Sequence, residues 1–273
     1  MAVYVVSGVS RGIGYAFLTN LSADPKNTVI GVVRDKAGTI KKTSEDATLK
    51  GRSNYHIVEG DLTNYDSLKN AAAEVHKITG GVVDYLIANA GYVSLYDTFD
   101  PLGYLGEHSP KELEEDFQKS FNINVIGNIH FINLFMPQVL KGTAKKVVVI
   151  STGFADLDFT NETEVFTAAG YSISKAASNM AVAKFSAQYR SQGVHFLSVC
   201  PGSVEVGMYN NCTPEQLGKL GPLMEKFMKY QPNFKGPVTP DQAVSDMRAV
   251  WESTSAEKDN GAFLSQFGNK QWL

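Results

Sequence analysis

Tyr171 and Lys175, four positions apart in the run Tyr171-Ser172-Ile173-Ser174-Lys175, are a pair whose types and spacing suit proton transfer. On a helix, residues four apart lie one turn from each other on one face. An ammonium beside a phenol favours the phenolate, so the spacing predicts a tyrosine more acidic than the free side chain, whose pKa is about 10. Such a pair is a tunable acid for work near neutral pH. The pattern is short, and it carries weight only if the chain also supplies something for the proton to be moved against.

The N-terminal region supplies it. The turn Gly8-Val9-Ser10-Arg11-Gly12-Ile13-Gly14 follows an apolar, β-branched run (2–7) and opens a helix over about 15–21. Glycines between a strand and a helix let the backbone approach a pyrophosphate, and the helix N-terminus offers it unpaired N–H groups. The spacing, Gly8-x3-Gly12-x-Gly14, is not the common GxGxxG. A second strand (27–33) ends at Arg34-Asp35, where a dinucleotide fold meets the adenosine ribose. A basic residue there accommodates a 2′-phosphate. Arg34, with Arg11 from the glycine turn, therefore predicts NADP(H) in preference to NAD(H), and Asp35 is read as pointing away. Asp61 either accepts from the adenine amino group or starts the next helix, or does both. Small residues after the fourth strand, Asn89-Ala90-Gly91, predict close ligand approach. Asn124 interrupts the apolar face of a long helix; it either satisfies nearby backbone or faces a ligand. Ser151 and Thr152 put hydroxyls at the carboxyl end of the fifth strand, where open α/β sheets bind ligands.

The elements that must position these groups alternate strand and helix along the chain. Strands are expected at 2–7, 27–33, 56–59, 82–88, 145–150, 195–200 and 261–265. Helices are expected at 64–79, from Ser109-Pro110 to about Leu134, at 172–190 and from Thr239-Pro240 to about Trp251. Residues 36–54 read as a variable helix and loop, and 92–109 as loop. This rhythm predicts an α/β fold, a doubly wound parallel sheet in a single domain spanning 1–273. Residues 203–238 break it with Met208, Tyr209, Leu217, Leu220, Leu223, Met224, Phe227, Met228 and Tyr230. They read as a lid over an apolar substrate, or else as a packed helical hairpin at a subunit contact.

Composition narrows the function classes. With 25 basic and 28 acidic residues the net charge is -3, which gives no general attraction to nucleic acid or to an anionic membrane. No apolar run approaches the ~18 residues of a membrane span. The start reads as a strand, not a signal peptide. Two cysteines, Cys200 in an apolar run and Cys212 in a polar one, predict a reducing, cytoplasmic setting and no disulfide framework. The five histidines lack metal-ligand spacing, so no metal is expected.

Taken in order, SGVSRGIG at 7–14, the Asp61 position, ANAG at 88–91, NINV at 122–125, the hydroxyls after the fifth strand, YSISK at 171–175 and PGSV at 201–204 resemble the short-chain dehydrogenase/reductase family over essentially the whole chain. Within that family the sequence is most similar to small fungal and C-factor- or Sniffer-like carbonyl reductases. The resemblance implies a Rossmann fold with a seven-stranded parallel sheet, helices on both faces, and hydride transfer from nicotinamide. Tyr171 would protonate the nascent alkoxide. Lys175 would hold the nicotinamide ribose and lower the tyrosine pKa, and Asn124 would position a water in the proton relay. Gly8, Ser10, Arg11, Gly12, Ile13, Gly14, Arg34, Asp61, Leu62, Asn89, Ala90, Gly91, Pro201, Gly202 and Val204 would join Tyr171 and Lys175 around the cofactor.

Two positions depart from the family pattern. The catalytic hydroxyl falls on Thr152, which is favoured, or on Ser151 if the register slips. Val206 stands where a threonine usually contacts the carboxamide. The implied activity is NADPH-dependent reduction of a ketone or aldehyde of an apolar small molecule, as in the ketoreductases of secondary metabolism, by a homodimer or homotetramer. A fold relative that has lost redox chemistry (a cyclase, dehydratase or isomerase) and a nucleotide-sensing binding protein are the rival readings.

Overall fold

A computed structural model describes residues 1–273. Its strands are β1 (Val3–Ser7), β2 (Thr28–Val33), β3 (Tyr55–Glu59), β4 (Tyr85–Ala88), β5 (Lys146–Ile150), β6 (His195–Cys200) and β7 (Ala262–Ser265). They form one seven-stranded sheet in the order β3-β2-β1-β4-β5-β6-β7, and every neighbouring pair is parallel. The order reverses between β1 and β4. At such a switch point the loops leaving the two carboxyl ends diverge and leave a crevice for a ligand.

The helices are α1 (Gly12–Leu21), α2 (Lys36–Glu45), α3 (Tyr65–Thr79), α4 (Leu102–His108), α5 (Pro110–Phe121), α6 (Asn128–Val139), α7 (Leu157–Thr163), α8 (Ala169–Tyr189), α9 (Pro214–Gly218), α10 (Leu220–Tyr230) and α11 (Pro240–Ser253). Successive strand side chains point to opposite faces, and two apolar clusters result. Val5, Ile30, Leu86 and Val147 meet Leu68, Phe131, Phe135 and Phe185 of α3, α6 and α8 on one face. Val6, Val29, Ile87 and Val148 meet Phe17, Leu21, Met247 and Trp251 of α1 and α11 on the other. Gly31 in β2 is bare because a side chain there would collide with Val9, which packs the glycine turn down onto the sheet.

Several local expectations need correction. The segment 92–109 is not all loop, because it holds α4. Pro101 and two glycines, Gly103 and Gly106, read as loop residues, yet Leu105 is buried and pins the turn. Ser109 occupies the N-cap position of α5 without capping through its side chain; its hydroxyl pairs with the Tyr96 hydroxyl at 2.6 Å. The long helix continues past Leu134 to Val139, and its middle, Asn122–Gly127, is a π-helical segment. Asp61 does not cap α3; Asn64 does, accepting from the Ser67 N–H at 3.0 Å.

Candidate active site

The crevice between β1 and β4 is built by contact between the two loops that leave them. Ser7 Oγ accepts from the N–H groups of Asn89 and Ala90, at 3.1 and 3.0 Å. Asn89 Nδ2 returns a bond to the Ser7 carbonyl at 3.0 Å. Gly8 and Gly12 have φ of 77° and 57°, in the left-handed region that favours glycine. A β-carbon on Gly8 would lie 3.0 Å from Ala90, and one on Gly14 would collide with the Gly8 carbonyl. The turn therefore needs its glycines for its own shape as well as for any phosphate.

Tyr171 and Lys175 sit in the first two turns of α8, which runs beside the end of β5. Lys175 is 3% exposed, and its Nζ donates to the Ile150 carbonyl at 2.7 Å. No carboxylate pairs with it, and burial lowers its pKa from the ordinary 10.5 to about 8. Gly91 leaves the space beside the ammonium open: a β-carbon there would stand 3.3 Å from Nζ. The expected acidification of the tyrosine is not what this arrangement produces. Burial pushes the Tyr171 phenol above its ordinary range, the neighbouring Cys200 thiol adds to the rise, and only the Thr152 hydroxyl draws it down. The ammonium lies 5.9 Å from the ring centroid and spends its one hydrogen bond on Ile150. Desolvation is the leading cause of both shifts.

The two candidate hydroxyls part company after β5. Ser151 is buried and donates to Asn179 Oδ1 of α8 at 2.8 Å. Thr152 is half-buried, its hydroxyl accepts from the Phe154 N–H at 3.3 Å, and it is the hydroxyl of the two that draws the Tyr171 pKa down. Asn124, fully buried on the π segment, spends its side chain on protein. Its Oδ1 accepts from the Tyr92 N–H at 2.7 Å, and its Nδ2 donates to the Tyr92 carbonyl and to Ser174 Oγ, both at 2.9 Å. It ties the 89–92 loop to α8, the backbone-satisfying role open to a buried amide. π-Helical turns inside long helices often mark functional sites.

The model of the short chain dehydrogenase family matches residues 2–217. The chain belongs to that family. Short chain dehydrogenase virK of Hypocrea virens is 52% identical over 274 residues, with 100% of each chain covered. The NADPH-bound carbonyl reductase from chicken fatty liver is 25% identical, covers 98% of both chains and has a TM-score of 0.77. Carbonyl reductase Sniffer of D. melanogaster shares the fold at a TM-score of 0.75 with 18% identity, over 98% of this chain and 97% of its own. The protein is thus an oxidoreductase of the short-chain dehydrogenase type, with a single Rossmann-like domain.

In this dehydrogenase the remaining cofactor candidates lie where loops leave the sheet. Arg11 and Arg34 are exposed, and neither joins any of the five ion pairs. Asp35 turns away, accepting from the Gly38 N–H at 2.9 Å to cap α2. One Asp61 oxygen is engaged by the Thr63 N–H and hydroxyl, at 2.9 and 2.8 Å. Leu62 packs on the core and, with Tyr65, Lys119, Ile123 and His130, lines a depression of about 510 Å³ that does not include Tyr171. Gly202 has φ of 77°. Val204 bridges Val238, but the two bonds there run from Glu205 and to Ser203, which leaves Val204's own N–H and C=O free. Val206 reaches the glycine turn, with a methyl 3.3 Å from where a Gly12 β-carbon would stand.

Three contributors had no sequence signal, because each acts across more than thirty positions. Lys42 of α2 donates to the Ser10 carbonyl at 2.9 Å and so adds a cation at the glycine turn. Cys200 Sγ accepts from the Gly153 N–H at 3.1 Å and steadies the loop that carries Thr152. Trp272, near the C-terminus, packs against bare Gly153. The 203–238 segment is tied to other parts of the chain by charge and aromatic contacts. Lys219 pairs with Asp100 at 2.8 Å, Tyr209 faces Phe99, and α10 joins α7 through Phe159, Phe227 and Tyr230.

The buried ammonium has a stability signature in the cofactor-free protein. The unfolded chain keeps the Lys175 proton up to about pH 10.5, while the folded chain releases it near 8. Between those values the unfolded state binds more protons, so this group makes stability rise with pH; its full penalty stands below pH 8. Denaturant unfolding from about pH 7.5 to about 9.5 should show wild type gaining on Lys175→Met, which has no charge to bury. Parallel pH profiles for the two proteins would contradict this.

Proposed function

We propose that the protein is an NADPH-dependent reductase of ketones or aldehydes of apolar small molecules in secondary metabolism, able to oxidise the matching alcohols. One observation carries the reading: a buried, carboxylate-free ammonium, one helical turn from Tyr171, donates to the last carbonyl of β5, two residues before Thr152. The NADPH bound to the chicken-liver reductase supports the choice of cofactor. The residues present fit a dinucleotide. The bare Gly8–Gly14 turn, with Ser10 and Ile13, would take the pyrophosphate, and Arg11 and Arg34 a 2′-phosphate. Asp61 and Leu62 would meet the adenine, and Asn89, Ala90 and Gly91 would floor the cleft. Lys175, with two protons to spare, and Tyr171 would hold the ribose. Pro201, Gly202 and the unpaired Val204 backbone would hold the nicotinamide.

Bound nicotinamide supplies the hydride. Thr152 donates a hydrogen bond to the substrate carbonyl oxygen and so stabilises charge developing there. Tyr171 gives its phenolic proton to that oxygen as it becomes an alkoxide. Burial keeps the proton on Tyr171 until a stronger base forms, and Lys175 then offsets the phenolate left behind. Asn124 holds the 89–92 loop against α8, so the two walls of the site keep their spacing; its backbone carbonyl, like its amide, is engaged by protein, accepting from Ser178 and Asn128. The 203–238 segment closes over an apolar substrate. As part of the same proposal the enzyme is a cytoplasmic homodimer or homotetramer; Cys200 and Cys212 are unpaired, as a reducing compartment would leave them.

Oxidation of NADPH in the presence of a panel of carbonyls tests the activity, and the two hydroxyls should rank in it. Thr152→Ala should cost about 10²–10³ in turnover, the usual loss for one oxyanion donor, and Ser151→Ala much less. The reverse order would make Ser151 the catalytic hydroxyl.

Fluorescence titration should show NADPH binding tighter than NADH. A charge-assisted hydrogen bond contributes on the order of 1.5–3 kcal/mol, and Arg34→Asp should narrow or reverse the gap. Equal affinities in the wild type would rule out the 2′-phosphate assignment.

A further inference from the structure

The helix that carries Tyr171 and Lys175 begins without a cap of its own. Ala168, at the N-cap position of α8, has no side-chain acceptor and takes φ of 52°, a left-handed conformation uncommon for alanine. The first N–H groups of a helix have no partners within it, and Gly170 is buried away from water. The acceptor comes from 73 positions earlier in the chain. Asp97 Oδ2 accepts from the Gly170 N–H at 2.7 Å, and the Asp97 carbonyl accepts from the Ala168 N–H at 2.8 Å. Gly170 is bare for this contact: a β-carbon there would stand 3.2 Å from both Asp97 Oδ2 and the Phe117 ring.

Asp97 is fully buried and its other oxygen, Oδ1, has no partner. Asp116, another buried acid, repels it. A carboxylate kept in that position at such cost serves the Gly170 N–H and the positive end of the helix. By contrast α2, α3, α7 and α11 are capped by the residue that immediately precedes them, Asp35, Asn64, Asp156 and Thr239. Only in α8 does the cap lie in the loop that follows β4, the loop whose Tyr92 is clamped by Asn124.

We infer that Asp97 is a positioning residue of the reductase: by capping α8 from the β4 loop it fixes where Tyr171 stands relative to Thr152 and the cofactor cleft. The inference rests on the reductase reading above. A loss of one bond at the first turn shifts the phenol without removing it, and a misplacement of about 1 Å can cost on the order of 10²-fold in rate.

Asp97→Ala and Asp97→Asn in the full chain separate positioning from mere stability, with NADPH and phenanthrenequinone as the carbonyl probe. The alanine variant should lose about ten- to a hundred-fold in kcat while NADPH affinity and KM stay near wild type. Asparagine, whose amide oxygen still accepts from Gly170, should regain most of the turnover. Hydrogen exchange at the Gly170 and Tyr171 amides should quicken in the alanine variant and stay slow in the asparagine variant. Wild-type turnover and exchange in Asp97→Ala, or an asparagine variant as impaired as alanine, would overturn the inference. If Asp97→Ala does not fold, the asparagine variant decides alone: fast exchange at Gly170 and Tyr171 together with lost turnover sinks the proposal. Failure of the wild type to reduce any carbonyl would sink the reductase reading instead, and the exchange measurements would still decide the cap.

Discussion

A buried ammonium with no carboxylate partner is the constraint on which the rest of the site depends. Burying an ion costs several kcal/mol unless hydrogen bonds compensate it. Lys175 has one such bond, to the last carbonyl of β5, so α8 must lie against that strand end and β5 must stop where it does. Gly91 must stay bare on the opposite side, since any side chain would fill the space beside Nζ. The polar network around these elements follows from the same need. Asn124 bridges Tyr92 and Ser174, and Ser178 donates to the Asn124 carbonyl at 2.7 Å, so the loop, the π segment and α8 are tied together.

The same burial sets the acid–base chemistry. Both Tyr171 and Lys175 are shifted toward their neutral forms, the phenol upward and the ammonium downward. The pair therefore does not rest as phenolate and ammonium. It holds a proton on the tyrosine with a charge nearby that becomes useful only when the phenol gives that proton up. A site of this kind stabilises a charge distribution that exists during reaction more than one that exists at rest.

Much of this was legible in the sequence because it is local. The glycine turn declares itself through a strand, three glycines and a helix within a dozen positions. Strand–helix alternation dictates the parallel sheet, and the Tyr171–Lys175 spacing puts both side chains at one site. The acidity of Tyr171 is not legible in the spacing, because spacing along a helix carries no information about desolvation, which sets the dominant shift. Helix α4 was hidden by Pro101, Gly103 and Gly106, residues whose loop preference is overridden by the burial of Leu105. Lys42, Cys200 and Trp272 bear on the site through contacts between distant parts of the chain, and no periodicity or motif could report them.

Tyr171→Phe tests most directly whether the Tyr171 phenol is the proton donor, because it keeps the ring and removes only the hydroxyl. NADPH affinity and carbonyl reduction should be measured on the same preparation. The affinity should stay near that of the wild type and the reduction rate should fall by several orders of magnitude. A Tyr171→Phe protein that binds NADPH and reduces a true substrate at the wild-type rate would contradict the mechanism and return the site to a non-redox reading.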